Sequence, residues 1–548
     1  MEWKPRSDRL RDVLESNDVI RFILLAALVL IAHSNFLFPS FIENPDESLI
    51  YPLLEKISTP LEYIKKLAEF ETLDFQPVRD LTLYIDILVL RNFGVIISIF
   101  LNCLIWIWAM WQVLRIIEER YEFNRLHTFL VVGCFSVYPI YAQSINWGIA
   151  RKHLLAFAFS IAATRYFFLW LKGLAKERHI LIFYTLSVLS VPVSMLWPLW
   201  ARMTIFFTKS PRRQKNSLKL IVSLYLVMLL IIGINWAYYN TSYTFLQTYQ
   251  QKSYYNDYFM ILLNVGHQIK QVLFPYNLSY YYGFDGFSLA GAVLLLIFLI
   301  WLFFKKRNEG EIWIWVIYSG VHLVVLQNTP LAYFDTYVLQ TSLGLFFIIF
   351  LLVRNYFKRL IPVLSILLVF WTAFTLSVNP TWGDSVKFFK KSFESQQSCG
   401  NAIGYGAAKY LKMEKLPDDL YDYIQVNECL MKDPNDSPFL AMRKLNFEAL
   451  QLLIEEDIDF QYREKRLIEL SLNQIFEMSI YMIFLVKNDR AQELERLSSN
   501  VIEKVKRSDI QLEFHPIFLA HVPKYCEQKK LPNCLRLCWM REKNTSSK

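Results

Sequence analysis

Apolar runs of about 18 residues or more, each long enough to cross a bilayer core, recur along the chain as far as residue 378. They read as spans at 20–38, 93–117, 126–142, 152–171, 217–236, 287–304, 311–327, 335–353 and 360–378. Residues 180–208 are apolar as well, but Ser190, Pro192 and Pro198 interrupt them, and Lys209, Arg212, Arg213 and Lys215 follow with no acid nearby. A single long helix would leave that basic loop outside. The bias of basic residues towards inner loops therefore predicts two short spans that turn back near Pro192, with both ends inside. The expected fold is an all-α polytopic bundle over 20–378 with about eleven spans.

The polar intervals complete the outline. Residues 1–19 are expected in the cytoplasm; the first span starts too late for a signal peptide and lacks a small-x-small cleavage site, so it reads as a retained anchor. Residues 39–92 form an acidic outer loop, in which 78–90 has the amphipathic pattern of a segment lying on the outer surface. A Tyr-rich outer loop covers 237–286. From 379 to 548 the pattern turns charged and helical, with 3- and 4-residue apolar spacing in strings such as Ala441-Met-Arg-Lys-Leu-Asn-Phe-Glu-Ala-Leu-Gln-Leu-Leu. No clean 34-residue period emerges, so these helices are expected to form degenerate hairpins of roughly tetratricopeptide size. The odd number of spans puts this domain outside.

Composition narrows the function. With 54% hydrophobic and 16% aromatic residues, the chain is too apolar for an ordinary soluble enzyme. The net charge of +9 is dispersed among short loops, as inner loops require, which argues against a nucleic-acid partner. Charges deep within spans are scarce, which argues against an ion-coupled transporter. Cys103 and Cys134 lie in spans and read as packing residues, whereas the other five cysteines fall in the tail. There Cys526 and Cys534 flank a Lys-Lys-Leu-Pro turn and suit a disulfide, Cys399–Cys429 is a second pairing, and Cys538 leaves the scheme open. Cys526, Cys534, Cys538 and His515 have no recognised metal-ligand spacing, so no metal is expected.

The most informative stretch is Tyr138-Pro-Ile-Tyr-Ala-Gln-Ser-Ile-Asn-Trp-Gly-Ile-Ala-Arg-Lys-His-Leu-Leu155. It is short, polar and basic, and it joins two apolar spans. Arg151, Lys152 and His153 fall in the first turn of the following helix, where cations oppose the helix dipole unless an anion sits against them. A lipid-phosphate site is one reading; interfacial anchoring by Arg, Lys and Trp147 is the other.

The order of residues resembles the polytopic C-superfamily (GT-C) glycosyltransferases, above all the transmembrane and tetratricopeptide-repeat O-mannosyltransferases and their bacterial relatives. These carry His-Pro-Ile-His-x-Glu-Ala-Val-x-Trp-Ile-x-x-Arg-x-Glu-Leu-Leu here. Pro139, Ile140, Trp147, Arg151, Leu154 and Leu155 match; Tyr138, Tyr141, Gln143 and His153 replace the two His and two Glu. Phe75-Gln76-Pro77-Val78-Arg79 resembles the family's Arg-Pro-Leu element with Gln76 in the Arg place, Arg79 one turn away and Asp86 at a common acid. Ser98 and Asn102 stand where the family has His and Asn, and Val191 and Pro192 replace Lys and Glu of a Ser-Lys-Glu turn. The segment Gly266-His267 to Tyr280 is similar to a Leu-Phe-Pro-x-x-Leu-Ser-x-x-Tyr element, with Tyr282 just beyond, and Asp335, Ser342 and Gly344 fit a Glu-Arg-x-x-Tyr-x-Pro-Ser-x-Gly run in which Thr336 replaces the Arg.

The resemblance implies transfer of a sugar from a polyprenyl- or dolichyl-phosphate donor to an extracytoplasmic acceptor, a protein hydroxyl or a glycan, with no other cofactor. A carboxylate is needed to deprotonate the acceptor, and Asp46-Glu47 in the first outer loop is the candidate base. Arg151 and Lys152 are expected to hold the phosphate. His153, Arg79, Gln143, His267, Tyr282 and Asp335 are expected to complete substrate binding. The tail is expected to engage a protein partner. So many lost ionisable positions also suit a relative that kept the fold, lost the chemistry and displays its tail as a scaffold. Short inner loops and divergent motifs resemble the bacterial relatives, so a bacterial inner membrane is expected rather than the endoplasmic reticulum, where Asn240-Thr-Ser and Asn277-Leu-Ser would be glycosylation sites.

Overall fold

The first helix, α1 (Asp18–Ala32), begins where the Asn17 side chain accepts from the backbone N–H groups of Val19 and Ile20, a cap that satisfies two otherwise orphaned donors. The protein is described from a computed structural model covering residues 17–34, 59–68, 75–90, 94–148, 150–208, 214–241, 258–273, 286–306, 309–326, 339–382, 384–395, 397, 399–411, 416–430, 438–454, 461–462, 465–467, 475–508, 516–535 and 537. Every regular element among these residues is helical. The chain forms two compact units, Met1–Gln396 and Gln397–Lys548.

In the first unit α1 is followed by α2 (Pro60–Ala68), α3 (Pro77–Leu90), α4 (Gly94–Tyr121) and α5 (Arg125–Ser136). A 3-10 turn at Pro139–Tyr141 leads to the short α6 (Ala142–Asn146), then α7 (Arg151–Leu171) and α8 (Glu177–Ser190). After a second 3-10 turn at Pro192–Ser194 come α9 (Trp197–Thr208), α10 (Gln214–Thr241), α11 (Tyr258–Leu273), α12 (Gly286–Lys306), α13 (Gly310–Leu326), α14 (Leu339–Val353), α15 (Phe357–Trp382) and α16 (Ser385–Ser395). Six helices among the described residues are long and apolar enough to cross a membrane, or seven if α5 and the segment after it, bent by 50°, count as one. This suits a multi-pass membrane protein. The about eleven spans expected from sequence also include α1, α8, α9 and α13, which have 15, 14, 12 and 17 residues.

The break between α8 and α9 falls where Pro192 and the charge pattern predict it. The Tyr184 hydroxyl donates to the Met195 carbonyl at 3.0 Å, Ser187 Oγ to Ala156 at 2.7 Å, and Trp197 Nε1 to Thr164 Oγ1 at 3.1 Å. These bonds tie the turn into the bundle, as irregular backbone at membrane depth needs, while the buried Ser194 hydroxyl has no partner among the described residues.

One end of the bundle is ionic. Arg21, fully buried, pairs with Asp18 and Glu118; Arg115 reaches Glu119 at 3.0 Å and Asp18 at 3.1 Å; Arg165 reaches Glu119 at 2.7 Å; and Arg120 pairs with Glu311. These bridges join the starts of α1 and α13 to the ends of α4 and α7, so the helices alternate in direction. Between the ends lies an aromatic core: Trp106 packs on Tyr141 and Phe157, Trp315 stacks on Phe347 at 3.8 Å, and Trp200 packs on Tyr318. The indole N–H groups of Trp106, Trp200 and Trp315 donate to Ser136 O, Ile314 O and the Tyr121 hydroxyl, as buried Trp requires.

The second unit contains α17 (Cys399–Leu411), α18 (Asp418–Val426), α19 (Pro438–Ile454), α20 (Ile475–Lys487), α21 (Ala491–Ser508) and α22 (Pro516–Gln528). Helices α17, α19, α20 and α22 pack in succession, with α18 against α17 and α21 against α20. Their starts are 39, 37 and 41 residues apart, which is why a 34-residue period is not found. Disulfides link Cys399 to Cys429 and Cys526 to Cys534, with Cα separations of 5.2 and 5.9 Å. Both pairings anticipated from sequence are present, and two of the four conceivable metal donors are thereby consumed. The boundary falls at 396/397 rather than at 379, because α15 continues to Trp382 and α16 packs on it.

Candidate functional site

The stretch singled out in sequence forms a kinked, re-entrant connection at the end of the bundle opposite the ion pairs. Helix α5 stops at Ser136, and side chains from distant helices take over its free carbonyls. Trp106 Nε1 donates to Ser136 O at 2.9 Å and Thr375 Oγ1 to Val137 O at 2.7 Å. Asn102 Nδ2 donates to the carbonyls of both Ile145 and Trp147 at 3.0 and 3.2 Å, and Asn146 Nδ2 donates to Asn379 at 3.0 Å. The bonds to the Ser136, Val137, Ile145 and Trp147 carbonyls replace helical hydrogen bonds that lipid could not supply.

Arg151 opens α7 and is fully buried. Its Nη1 lies 2.6 Å from Asp86 Oδ2 and 3.3 Å from the Thr82 carbonyl, its Nε donates to Asn102 Oδ1 at 2.8 Å, and its Nη2 donates to both the carbonyl and the hydroxyl of Ser98 at 2.8 Å. A guanidinium has five N–H groups; Arg151 makes four hydrogen bonds with them, and the Asp86 carboxylate balances its charge. The anion that a cation at a helix N-terminus calls for is therefore supplied by the chain itself, as Asp86 on α3. Burial pushes the Asp86 carboxyl above its usual range, with the Arg151 guanidinium pulling the other way. Ser98 and Asn102 are thus ligands of the arginine.

The other expected residues divide. Arg79 is buried in the first turn of α3, bridged to Asp80 at 2.6 Å and bonded to Gln76 Oε1 at 3.1 Å, while Tyr63 of α2 donates to Asp80 at 3.1 Å. His153 is buried within electrostatic reach of Lys152 and Arg79. Lys152 is half-buried and makes no ion pair among the described residues. Gln143 is buried on α6 and His267 on α11; α11 reaches the re-entrant stretch through the Tyr138 hydroxyl, 2.5 Å from the Val272 carbonyl. Asp46, Glu47, Tyr282 and Asp335 lie outside the described residues. Arg79, Lys152, His153, Arg151 and Asp86 are thus gathered on α3 and α7.

Sequence reading passed over a second polar group at this end. Ser342 of α14 accepts from the Tyr141 hydroxyl at 2.8 Å, and Ser319 of α13 donates to the Thr341 carbonyl at 3.2 Å. Beside them Gln340, Thr341 and His322 are buried, and both polar atoms of Gln340, Thr341 Oγ1 and His322 Nε2 have no partner. The available signal was a His within an apolar helix and a Gln-Thr-Ser triplet opening another, both rare in lipid.

Fold and site together define an all-helical, multi-pass-type bundle with a polar, partly cationic end and a separate disulfide-bonded helical unit. Compared with protein-family models, curated proteins and solved structures, the chain matches none.

Proposed function

We propose that the protein is a GT-C-type membrane glycosyltransferase that moves a sugar from a polyprenyl- or dolichyl-phosphate carrier to an extracytoplasmic acceptor, a protein hydroxyl foremost. The observation that carries this reading is the half-buried Lys152 at the mouth of α7, beside Arg79 and His153. A cation opening a helix opposes its dipole unless an anion sits against it, and a phosphodiester supplies that anion. In this reading Lys152 is the cation that first meets the phosphodiester, and Arg151 braces the re-entrant stretch and turns to the phosphate when Asp86 takes a proton. Asp46 or Glu47 is the assigned base, and the stacked hairpins of the second unit, read as tetratricopeptide-like, present the acceptor. The membrane is read as a bacterial inner membrane, with the second unit outside.

The engagement of Arg151 by the chain itself favours a second reading, a relative without catalysis that displays the helical unit as a scaffold. Outer-surface glycoproteins distinguish the two, compared in cells carrying wild type, Asp46→Asn, Glu47→Gln or Lys152→Ala at equal expression. Transfer predicts loss of glycan for Lys152→Ala and for one of the two carboxylate variants. Unchanged glycans in all three, with a phenotype on deletion of 397–548, would establish the scaffold.

A further inference from the structure

We infer that the end of the bundle carries a second binding subsite, made by His322, Gln340 and Thr341, that takes an uncharged polyhydroxylated group. It goes beyond the transfer reaction, because the cluster would bind a sugar whether or not chemistry follows.

The placement rests on contacts between α13 and α14. Ser319 touches the Thr341 carbonyl, and a Cβ on Gly344 would collide with Ser319 Oγ, so the two helices run in close contact here. His322, one turn beyond Ser319, is level with the first turn of α14, where Gln340 and Thr341 sit. Gln340 and Thr341 are wholly buried and His322 nearly so. Gln340 has neither of its amide atoms paired, and Thr341 Oγ1 and His322 Nε2 are also unpaired. Each such group raises the free energy of the folded state until something bonds to it. Three neighbours within about a turn are a concentration that packing alone does not explain.

The chemistry of the donors selects the ligand. His322 Nδ1 lies 2.7 Å from the Tyr318 carbonyl; a carbonyl cannot donate, so Nδ1 carries the hydrogen and Nε2 of the uncharged ring offers a lone pair. A lone pair repels an anion. Gln340 offers one acceptor and two donors, and Thr341 one of each kind, so the set matches groups that both donate and accept. Hydroxyls do both. No Lys or Arg forms an ion pair or a side-chain hydrogen bond with these three residues among the described groups, in contrast to the α3–α7 side. The three are shut from solvent in this conformation, so the ligand reaches them when the end of the bundle opens.

Sugar hydroxyls could come from a lipid-linked donor or from an acceptor glycan. Full-length protein in nanodiscs is titrated with farnesyl phosphate, farnesyl phosphoryl-glucose and maltose, as wild type and as Gln340→Met, Thr341→Val and His322→Phe. The expected result is that one sugar probe binds wild type more tightly than its sugar-free counterpart (farnesyl phosphate for the lipid, buffer for maltose). Each substitution then weakens that probe about threefold to tenfold, one hydrogen bond's worth, and leaves farnesyl phosphate unaffected. Tighter binding of farnesyl phosphoryl-glucose identifies the donor as the source, and binding of maltose the acceptor. Because unpaired groups are replaced by side chains of similar volume, the variants should unfold at wild-type temperature or higher. A lower midpoint for Gln340→Met or Thr341→Val, or sugar binding unchanged in all three, overturns the inference. Farnesyl phosphate that binds and is weakened by Lys152→Ala keeps the transfer reading alive even then; maltose that binds through Gln340 without any binding of farnesyl phosphate supports the subsite alone.

Discussion

Asp86 and Arg151 form a buried ion pair whose sign of contribution depends on its surroundings. Taking both charges out of water costs several kcal/mol, and only the mutual attraction and the further acceptors on the guanidinium offset it. Removing one partner is therefore worse than removing both. Asp86→Leu, which takes the carboxyl away altogether and leaves the guanidinium buried, should lower the stability of the detergent-solubilised protein by about 3–5 kcal/mol, read as a fall in the unfolding midpoint, and Asp86→Leu with Arg151→Met should recover part of that loss. The pair also sets a pH dependence. Because the folded-state carboxyl titrates above its ordinary value, the folded protein holds that proton where the unfolded chain has released it. This group's contribution is fully present below the ordinary carboxylate pKa and is lost as pH rises through the raised one; Asp86→Asn should remove that slope from a plot of midpoint against pH. Arg151 was legible in the sequence as an unusual cation opening a helix. Its engagement was not, because Thr82, Asp86, Ser98 and Asn102 lie about 50 to 70 residues upstream and only the fold brings them to one guanidinium.

At the scale of elements, the same contrast separates what local pattern reveals from what tertiary partners decide. The α8–α9 break was visible because Pro192 and a basic flank both demand it. The third span was expected to run unbroken to 142, yet α5 ends at Ser136 because Trp106 and Thr375 capture the carbonyls there. Helix α4 continues past 117 to Tyr121 because ion pairs hold its charged last turn. Hairpin α13–α14 offers a direct test of close packing, since its two glycines meet opposite surroundings. A Cβ on Gly344 would strike Ser319 Oγ and lie 2.9 Å from the Trp315 carbonyl, whereas nothing lies within 4 Å of one on Gly320. Gly344→Val should cost at least about 1–3 kcal/mol through overpacking. Gly320→Ala should be neutral or stabilising by up to about 1 kcal/mol, from reduced backbone freedom in the unfolded chain. Equal effects on the unfolding midpoint would contradict the tight seam at Gly344.

At the scale of the whole molecule, the two units differ in what stabilises them. The first relies on an aromatic core and an ionic end. The second is a stack of hairpins crosslinked by Cys399–Cys429 and Cys526–Cys534. Such bonds persist in oxidising compartments and are rare where thiols are kept reduced, so the pairing bears on topology without any assumption about catalysis. The Cys399–Cys429 bridge closes a separation of 30 residues; chain entropy alone gives such a loop about 3–4 kcal/mol. Cys399→Ser with Cys429→Ser should lower the proteolytic resistance of residues 397–548 by a corresponding amount and leave the midpoint of the bundle unchanged. The pairing can also be counted in cells. With thiols blocked before lysis and the protein then denatured, a maleimide-polyethylene glycol reagent should add four fewer groups than after reduction, out of the seven cysteines in the chain. An unreduced count equal to the reduced one would mean that the four thiols never pair, which a cytoplasmic tail predicts and an extracytoplasmic one does not.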